Sequence, residues 1–264
     1  MNTTMETALR AVVRYDGTHF AGWQKQPGKR TVQGVLESAM SRIAGQPVRV
    51  QGASRTDAGV HALGQVCSCR WPGPFPARLR RALSRMLGPE IRVAELTETT
   101  PDFNARFSAR AKRYAYSLDL GKEADPLSAR YAWHVPYRVE LERVRALLPL
   151  VEGAHDFAGF QSAGSPAEST VRTIFSARLE SGGLIQARDA EFLWRIELYG
   201  DAFLYHMVRN ITGTLIEVAR GRFPPAFFEA CLKGRGPFQG YCAPAHGLTL
   251  VCVAYEESGR TAQA

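Results

Sequence analysis

Residues 31–45 read TVQGVLESAMSRIAG. Val32, Leu36, Ala39, Met40 and Ile43 recur at three- and four-residue spacing, the signature of one apolar helix stripe. Thr31 is placed to cap the first turn, and Gly45 to end the last. Before this helix, Leu9–Tyr15 alternates apolar residues with arginine and reads as a strand. The segment between, DGTHFAGWQKQPGKR, is rich in glycine and polar residues and reads as a loop. After the helix, Val48–Gln51 is a short strand leading into a second loop. A strand, a capped helix and a strand therefore open the chain.

The remaining pattern extends this unit. Leu63–Trp71 reads as a strand, and Ala77–Leu87 as a basic amphipathic helix with Leu79, Leu83 and Met86 inward. Ile91–Leu96 and Lys112–Leu120 read as strands, separated by the loop TTPDFNARFSAR. Leu141–Val151 is expected to be a helix. Val171–Leu179 and Phe192–Tyr199 are expected as strands, with a Ser181-Gly182-Gly183 turn near the end of the first. Phe203–Ala219 reads as a long helix and Pro225–Leu232 as a short one opened by two prolines. Leu248–Tyr255 is the last strand, followed by a polar tail. The helices do not alternate strictly with strands, so a doubly wound parallel sheet does not fit. The expected class is α+β, antiparallel sheets with helices on one face, in two halves compatible with ferredoxin-like units.

The 264 residues, 45% hydrophobic, suffice for one or two domains with sizeable cores. No run approaches the roughly 20 apolar residues of a membrane span. The N-terminal stretch has no basic segment followed by an apolar one, so no secretory signal is expected, and the expected location is cytoplasmic. Five cysteines form neither an even disulfide framework nor a zinc knuckle, and read as reduced, mostly buried small hydrophobes. The formal net charge of +8 suits a polyanionic partner. The charge is clustered: Arg78, Arg80, Arg81 and Arg85 in one stretch, Arg106, Arg110, Lys112 and Arg113 in another. The second cluster is interleaved with Phe103, Phe107, Tyr114 and Tyr116. Cations that bind phosphate beside rings that stack on bases point to RNA.

The loop GASRTDAGVHALGQV, residues 52–66, concentrates the chemistry. Asp57 has a fixed cation, Arg55, two residues before it, which favours the ionised carboxylate. Thr56 can restrain the turn by a local hydrogen bond, and Ala58-Gly59 leave space beside the carboxylate. Such a group can act as a nucleophile or general base. It lacks nearby ligands for Mg²⁺ or Zn²⁺. A triad of Ser54, His61 and Asp57 is not expected, because no G-x-S-x-G elbow is present; His61 reads as a structural hydrogen-bonder beneath the loop. Phosphate-binding glycine motifs are absent as well, which removes the common nucleotide-dependent phosphotransferases.

RTDAGVHA resembles the catalytic signature of the bacterial tRNA pseudouridine synthase A family. The resemblance continues in order along nearly the whole chain, through YDGTHFAGWQ (15–24), TVQGVLESAM (31–40), FNARFSARAKRYAY (103–116), FLYHMVRNITGTL (203–215) and HGLTLVCVAY (246–255). It implies isomerisation of uridine to pseudouridine at positions 38, 39 and 40 of the tRNA anticodon stem-loop, without metal or cofactor. It implies two ferredoxin-like halves, residues 1–104 and 105–264, with sheets side by side and an active-site cleft between them, and a homodimer on tRNA. The essential aspartate falls on Asp57 as nucleophile, its arginine partners on Arg55 and Arg209. The tyrosine that stacks on the target base falls on Tyr114 and a leucine of the uracil pocket on Leu248. The RNA-facing segment falls on Phe103, Asn104, Ala105, Arg106, Phe107, Arg110 and Lys112.

Three positions depart from the family pattern: Ser54 where glycine is common, His246 where an acid is common, and the loop Gln161–Ser169. The last leaves open how RNA is met there. Asp57 is placed to attack the base at C6 or the sugar at C1′, or to remove a sugar proton. Two other readings stand beside this one: a basic RNA-binding module without catalysis, and a pseudouridine synthase for another RNA.

Overall fold

The computed structural model describes residues 6–164, 168–184, 190–233 and 240–255. The described residues up to Arg110, with those from Leu250 onward, form one compact unit, and Ala111–Thr249 form a second.

The first unit begins with β1 (Glu6–Tyr15), α1 (Val32–Ala44), β2 (Val50–Gly52), β3 (His61–Pro72), α2 (Leu79–Leu87) and β4 (Ile91–Glu98). β1 lies between β4 and β3, β2 pairs with β3, and all three pairings are antiparallel. The last strand, β10 (Leu248–Ala254), runs beside β3. Gly64 permits that approach, because a Cβ there would lie 2.4 Å from the Val251 carbonyl oxygen. The register sets Leu9 opposite Cys69 and Val13 opposite Gln65, so Leu9, Ala11 and Val13 share one buried face. Val32, Leu36, Ala39 and Met40 of α1 and Leu79, Leu83 and Leu87 of α2 are buried with them.

α1 is bounded as its sequence dictates. The Thr31 hydroxyl accepts from Gly34 N at 3.3 Å, and Gly45 adopts φ 69°, the left-handed conformation that ends a helix. α2 differs from expectation in one respect. It starts at Leu79, and its buried stripe is Leu79, Leu83 and Leu87, which turns Met86 outward at 43% exposure. The buried arc is centred on Leu83, and Met86 falls on its flank.

The second unit contains β5 (Ala111–Asp119), β6 (Trp133–His134), α3 (Leu141–Leu147), β7 (Gly153–Asp156), β8 (Val171–Ser181), β9 (Leu193–Gly200), α4 (Met207–Ala219) and α5 (Pro225–Leu232). The order β5-β9-β8-β7 is antiparallel, and β6 adds in parallel to β5. β6 and β7 are too short to leave a periodic signal in the sequence. The expected helix to Val151 divides, α-helical to Leu147 and 3₁₀ from Leu148, where Pro149 removes a backbone donor. The Gly182 turn after β8 has φ 86°.

α4 begins at Met207, not at Phe203, because His206 adopts a left-handed φ of 63°. Every residue of α4 except Arg209 is buried. A helix buried all round is a core element, and its one half-exposed side chain is an arginine. The described residues thus form a mixed α/β fold in which both units combine antiparallel strands with helices. The polar tail lies outside the described residues. Among the described residues no helix is long and apolar enough to cross a membrane. None of the five cysteines is disulfide-bonded; Cys67 is buried and the other four are half-buried, where most were expected to be buried.

The cap on α1 can be tested by itself. Thr31→Ala should cost about 1 kcal/mol of unfolding free energy and Thr31→Ser much less, as read by denaturant titration at unchanged m-value.

Candidate active site

The loop from Ala53 to Val60 is held from three directions, all by residues of the first unit. From β3, the side chain of Gln65 takes both backbone groups of Ser54: Oε1 accepts from Ser54 N at 3.2 Å, and Nε2 donates to Ser54 O at 2.7 Å. Gln65 is fully buried, so losing either bond strands a polar group. From β1, the Tyr15 hydroxyl lies 2.7 Å from Thr56 Oγ1 and also receives Gln65 Nε2 at 3.4 Å. From the loop before α1, Trp23 N donates to Thr56 O at 3.0 Å.

That third contact connects to the helix. Val32 N donates to Gly22 O and Gln33 N to Trp23 O, so the first amides of α1 are satisfied by the same two residues that meet the Asp57 loop. Gly22 has φ 82°, and a Cβ there would lie 2.6 Å from Thr56 O and 3.1 Å from Ala58 N. The Trp23 indole is packed under Gly52, where a Cβ would lie 2.3 Å from the ring. The glycines of YDGTHFAGWQ and of the strand before the loop are therefore contact glycines.

Within this frame Asp57 is half-buried and Arg55 exposed. Val60 N donates to Asp57 O at 3.2 Å and closes the turn, with Gly59 at φ 81°. His61, 4% exposed, accepts from Gly17 N through Nδ1 at 3.0 Å, and that nitrogen lies 3.2 Å from Asp16 Oδ1. It supports the loop from below. Gln65 and Tyr15 were not singled out from the sequence. The available signal was a glutamine inside an apolar strand, at a position whose neighbours in register are buried.

The second unit brings Arg209 and Tyr116 onto one stretch, residues 241–248, which ends at Leu248. Arg209 Nε donates to Ala243 O at 2.8 Å, and Ala243 N donates to Arg209 O at 3.1 Å. Gly213, one turn further along α4, allows this, since a Cβ would lie 1.8 Å from Tyr241 O. Tyr116 of β5 donates its hydroxyl to Pro244 O at 2.6 Å, and its ring leaves only 2.7 Å for a Cβ on Gly247. Leu248, the first residue of β10, is buried. Tyr114 lies two residues from Tyr116 on the same strand face, with its ring edge-on to Phe203 at 5.1 Å.

The Arg209 charge is felt here. It works against the strong upward shift that burial imposes on the Tyr116 hydroxyl. Burial, and after it the charge of Arg209, hold His246 below the ordinary 6.5, against an opposing hydrogen bond to the Ala132 backbone. His246 is therefore a neutral imidazole at pH 7, where the family pattern often carries an acid.

The segment expected to face RNA is a loop of the first unit up to Arg110. Asn104 Oδ1 accepts from Arg106 N and Phe107 N, Ser68 Oγ from Ala105 N, and Ala105 O from the Tyr255 hydroxyl. Phe107 is 76% exposed, with the Arg106 guanidinium 5.2 Å from its ring centre. Phe103 packs on Tyr255 with ring centres 5.0 Å apart. Arg110 is exposed, and Lys112 follows on β5 in the second unit. In the divergent loop, Ser162 Oγ meets His206 Nδ1 at 3.0 Å and Asn210 Nδ2 at 3.2 Å; residues 165–167 lie outside the described residues.

The family model for tRNA pseudouridine synthases matches residues 11–108 and 149–256, which include the Asp57 loop, Arg209 and Leu248. The chain belongs to the tRNA pseudouridine synthase family. Curated proteins named tRNA pseudouridine synthase A are similar over nearly full length. That of Syntrophotalea carbinolica is 40% identical, covering 94% of this chain and 96% of its own. That of Latilactobacillus sakei is 40% identical, covering 96% and 100%. That of Solibacter usitatus is 41% identical, covering 94% and 99%. Among solved structures, a chain of the crystal structure of a Cbf5-Nop10-Gar1 complex overlaps at TM-score 0.36 and 9% identity, over 93% of this chain and 59% of that one, which is too distant to bear on the fold. Members of this pseudouridine synthase family are isomerases, and the fit of the model across the Asp57 loop makes this chain one of them.

The neutral state of His246 has a measurable consequence. A histidine whose folded value is depressed stabilises the fold fully above 6.5 and loses that contribution as pH falls through 6.5 toward the folded value. The melting temperature of the wild type should therefore drop further between pH 7.5 and 5.5 than that of His246→Gln.

Proposed function

We propose that this pseudouridine synthase isomerises uridine at positions 38, 39 and 40 of the tRNA anticodon stem-loop. The observation that carries the proposal is the Asp57 loop, an RTDAG turn whose backbone is fastened by Gln65, Tyr15 and Trp23 so that a half-buried carboxylate stands in a fixed place. A preorganised anion is what the reaction asks of the protein.

The reaction breaks the C1′–N1 bond, turns the base and forms C1′–C5. N1 gains the proton that C5 loses, so neither redox chemistry nor hydrolysis occurs. Asp57 is the nucleophile of this reading, with Arg55 and Arg209 as its arginine partners. Tyr114 stacks on the uracil, which must first leave its helical stack, and Leu248 lines the pocket. Phe103, Asn104, Ala105, Arg106, Phe107, Arg110 and Lys112 contact RNA. Support for these roles comes from the motif match, from the packing of Arg209 against the stretch that ends at Leu248, and from the place of Tyr114 on the strand face of Tyr116, which meets that stretch.

The same reading holds the enzyme to be a cytoplasmic homodimer that works without metal or cofactor. It takes the two halves as ferredoxin-like. In the first unit, the order β-α-β-β-α-β with sheet order β4-β1-β3-β2 supports this.

Carbodiimide adduct mapping on an unmodified tRNA transcript, without added metal, tests the reading. Wild-type protein should give primer-extension stops at 38–40, and Asp57→Asn none. A folded wild type that binds tRNA without producing stops overturns it in favour of a non-catalytic RNA-binding module. Stops elsewhere keep the chemistry and move the substrate.

A further inference from the structure

One face of the first unit's sheet carries cations that no carboxylate pairs with among the described residues. Arg10 lies opposite Ser68, and Gln51 also lies opposite Ser68, so Arg10, Gln51 and Ser68 share a face, with Arg70 two residues on. It is the face away from the buried Leu9, Ala11 and Val13. A cleft of about 260 Å³ opens on it, lined by Arg49, Gln51, Arg70, Asp102, Phe103 and Asn104 among others. Its far wall is the 101–105 segment, fastened to the sheet where Arg70 Nη2 donates to Pro101 O, Ala105 N to Ser68 Oγ, and Tyr255 to Ala105 O.

Most arginines near a carboxylate in this protein are paired with it: Arg30 with Glu90, Arg113 and Arg195 with Glu197, Arg143 with Glu140, Arg145 with Glu142, Arg220 and Arg222 with Glu217. Among the described residues neither Arg49 nor Arg70 is paired with an acid, although both line one cleft and both are exposed. The single carboxylate in the lining, Asp102, is occupied otherwise. A Thr100 side-chain hydrogen bond and its own backbone amide hold it below the ordinary carboxylate range, so it serves its own turn. Two cations against one acid, with the Asn104 and Gln51 amides and the Phe103 ring beside them, suit a phosphodiester with its attached nucleoside.

We propose that this cleft is an RNA-backbone subsite, in which Arg49 and Arg70, outside the Asp57 loop, bind a phosphate of the tRNA. The proposal rests on the RNA-modifying reading above and adds residues to which the resemblance assigns nothing. The bound group is a backbone phosphate, so the subsite supplies affinity and placement without base specificity.

Binding of an unmodified tRNA transcript, measured by filter retention from 50 to 300 mM KCl, tests it. Arg49→Ala/Arg70→Ala should raise Kd about tenfold or more and flatten the plot of log K against log[salt] by about two, roughly one per cation. The loss should enter KM rather than kcat. Asp102→Asn should tighten binding, because it removes the opposing charge. Arg49→Glu guards against a folding defect, since Arg49 has no hydrogen-bond or ion-pair partner among the described residues; it should weaken binding more than Arg49→Ala at unchanged melting temperature. Wild-type Kd and salt slope in the double variant would overturn the subsite, as would weaker binding by Asp102→Asn. Pseudouridine formation by the wild type reads the enzymatic assignment separately. If it is absent while the salt slope still flattens, the subsite stands and the assignment falls.

Discussion

A buried glutamine holds the backbone that leads into the Asp57 loop, on which the proposed chemistry depends. Gln65 is enclosed in β3, and its amide faces both the N–H and the C=O of Ser54. A side-chain amide offers a donor and an acceptor side by side without carrying charge, so it can replace a missing strand neighbour. Below that point β2 pairs with β3; above it the chain leaves the sheet and turns through Asp57. Gln65 thus extends the ladder by one residue and releases the chain at a defined place. Tyr15 and Trp23 fix the next turn. Each of these bonds contributes about 1 kcal/mol net to stability, but leaving a buried partner unpaired costs about 1–3 kcal/mol, so the set holds together.

The second unit solves a related problem by close approach. Gly213 and Gly247 remove the two Cβ atoms that would push residues 241–248 away from α4 and from Tyr116. The segment then lies near enough for Ala243 to exchange hydrogen bonds with Arg209 and for Pro244 to accept from Tyr116. α4 is buried on every side except at Arg209, so this guanidinium is set by the core of the unit. Such placement limits the reorganisation needed when charge develops nearby. Neutral His246 avoids a second cation beside Arg209 at pH 7.

Much of this was legible in the sequence, and the exceptions have physical causes. α1 was readable to its caps because apolar spacing, Thr31 and Gly45 agree. α5 and the long strands were readable for the same reason: periodicity and punctuation coincide. The start of α4 was not, because FLYH is apolar and helix-compatible, and only the left-handed turn at His206 delays the helix. The inward position of Met86 failed because adjacent residues at a helix end differ by 100° in direction, and the neighbouring layer decides which one is covered. In the site, Asp57 and Arg55 stand out by their chemistry, whereas Gln65 and Tyr15 act through contacts across 11 and 41 residues that no local pattern encodes. The glycines of the motifs were visible as composition, and their purpose emerged only with the neighbouring backbone in place.

The central claim is that one hydrogen-bonded unit around Ser54 and Thr56 places Asp57 for reaction. A double-mutant cycle on single-turnover pseudouridine formation, with Tyr15→Phe, Gln65→Met and the pair, measures it most directly. The account predicts that each single change slows the reaction by about tenfold or more at nearly unchanged tRNA affinity. It also predicts that the double variant is little slower than the slower single one, because either change already releases the loop. Wild-type rates in both folded single variants, or losses that simply multiply in the double variant, would contradict it.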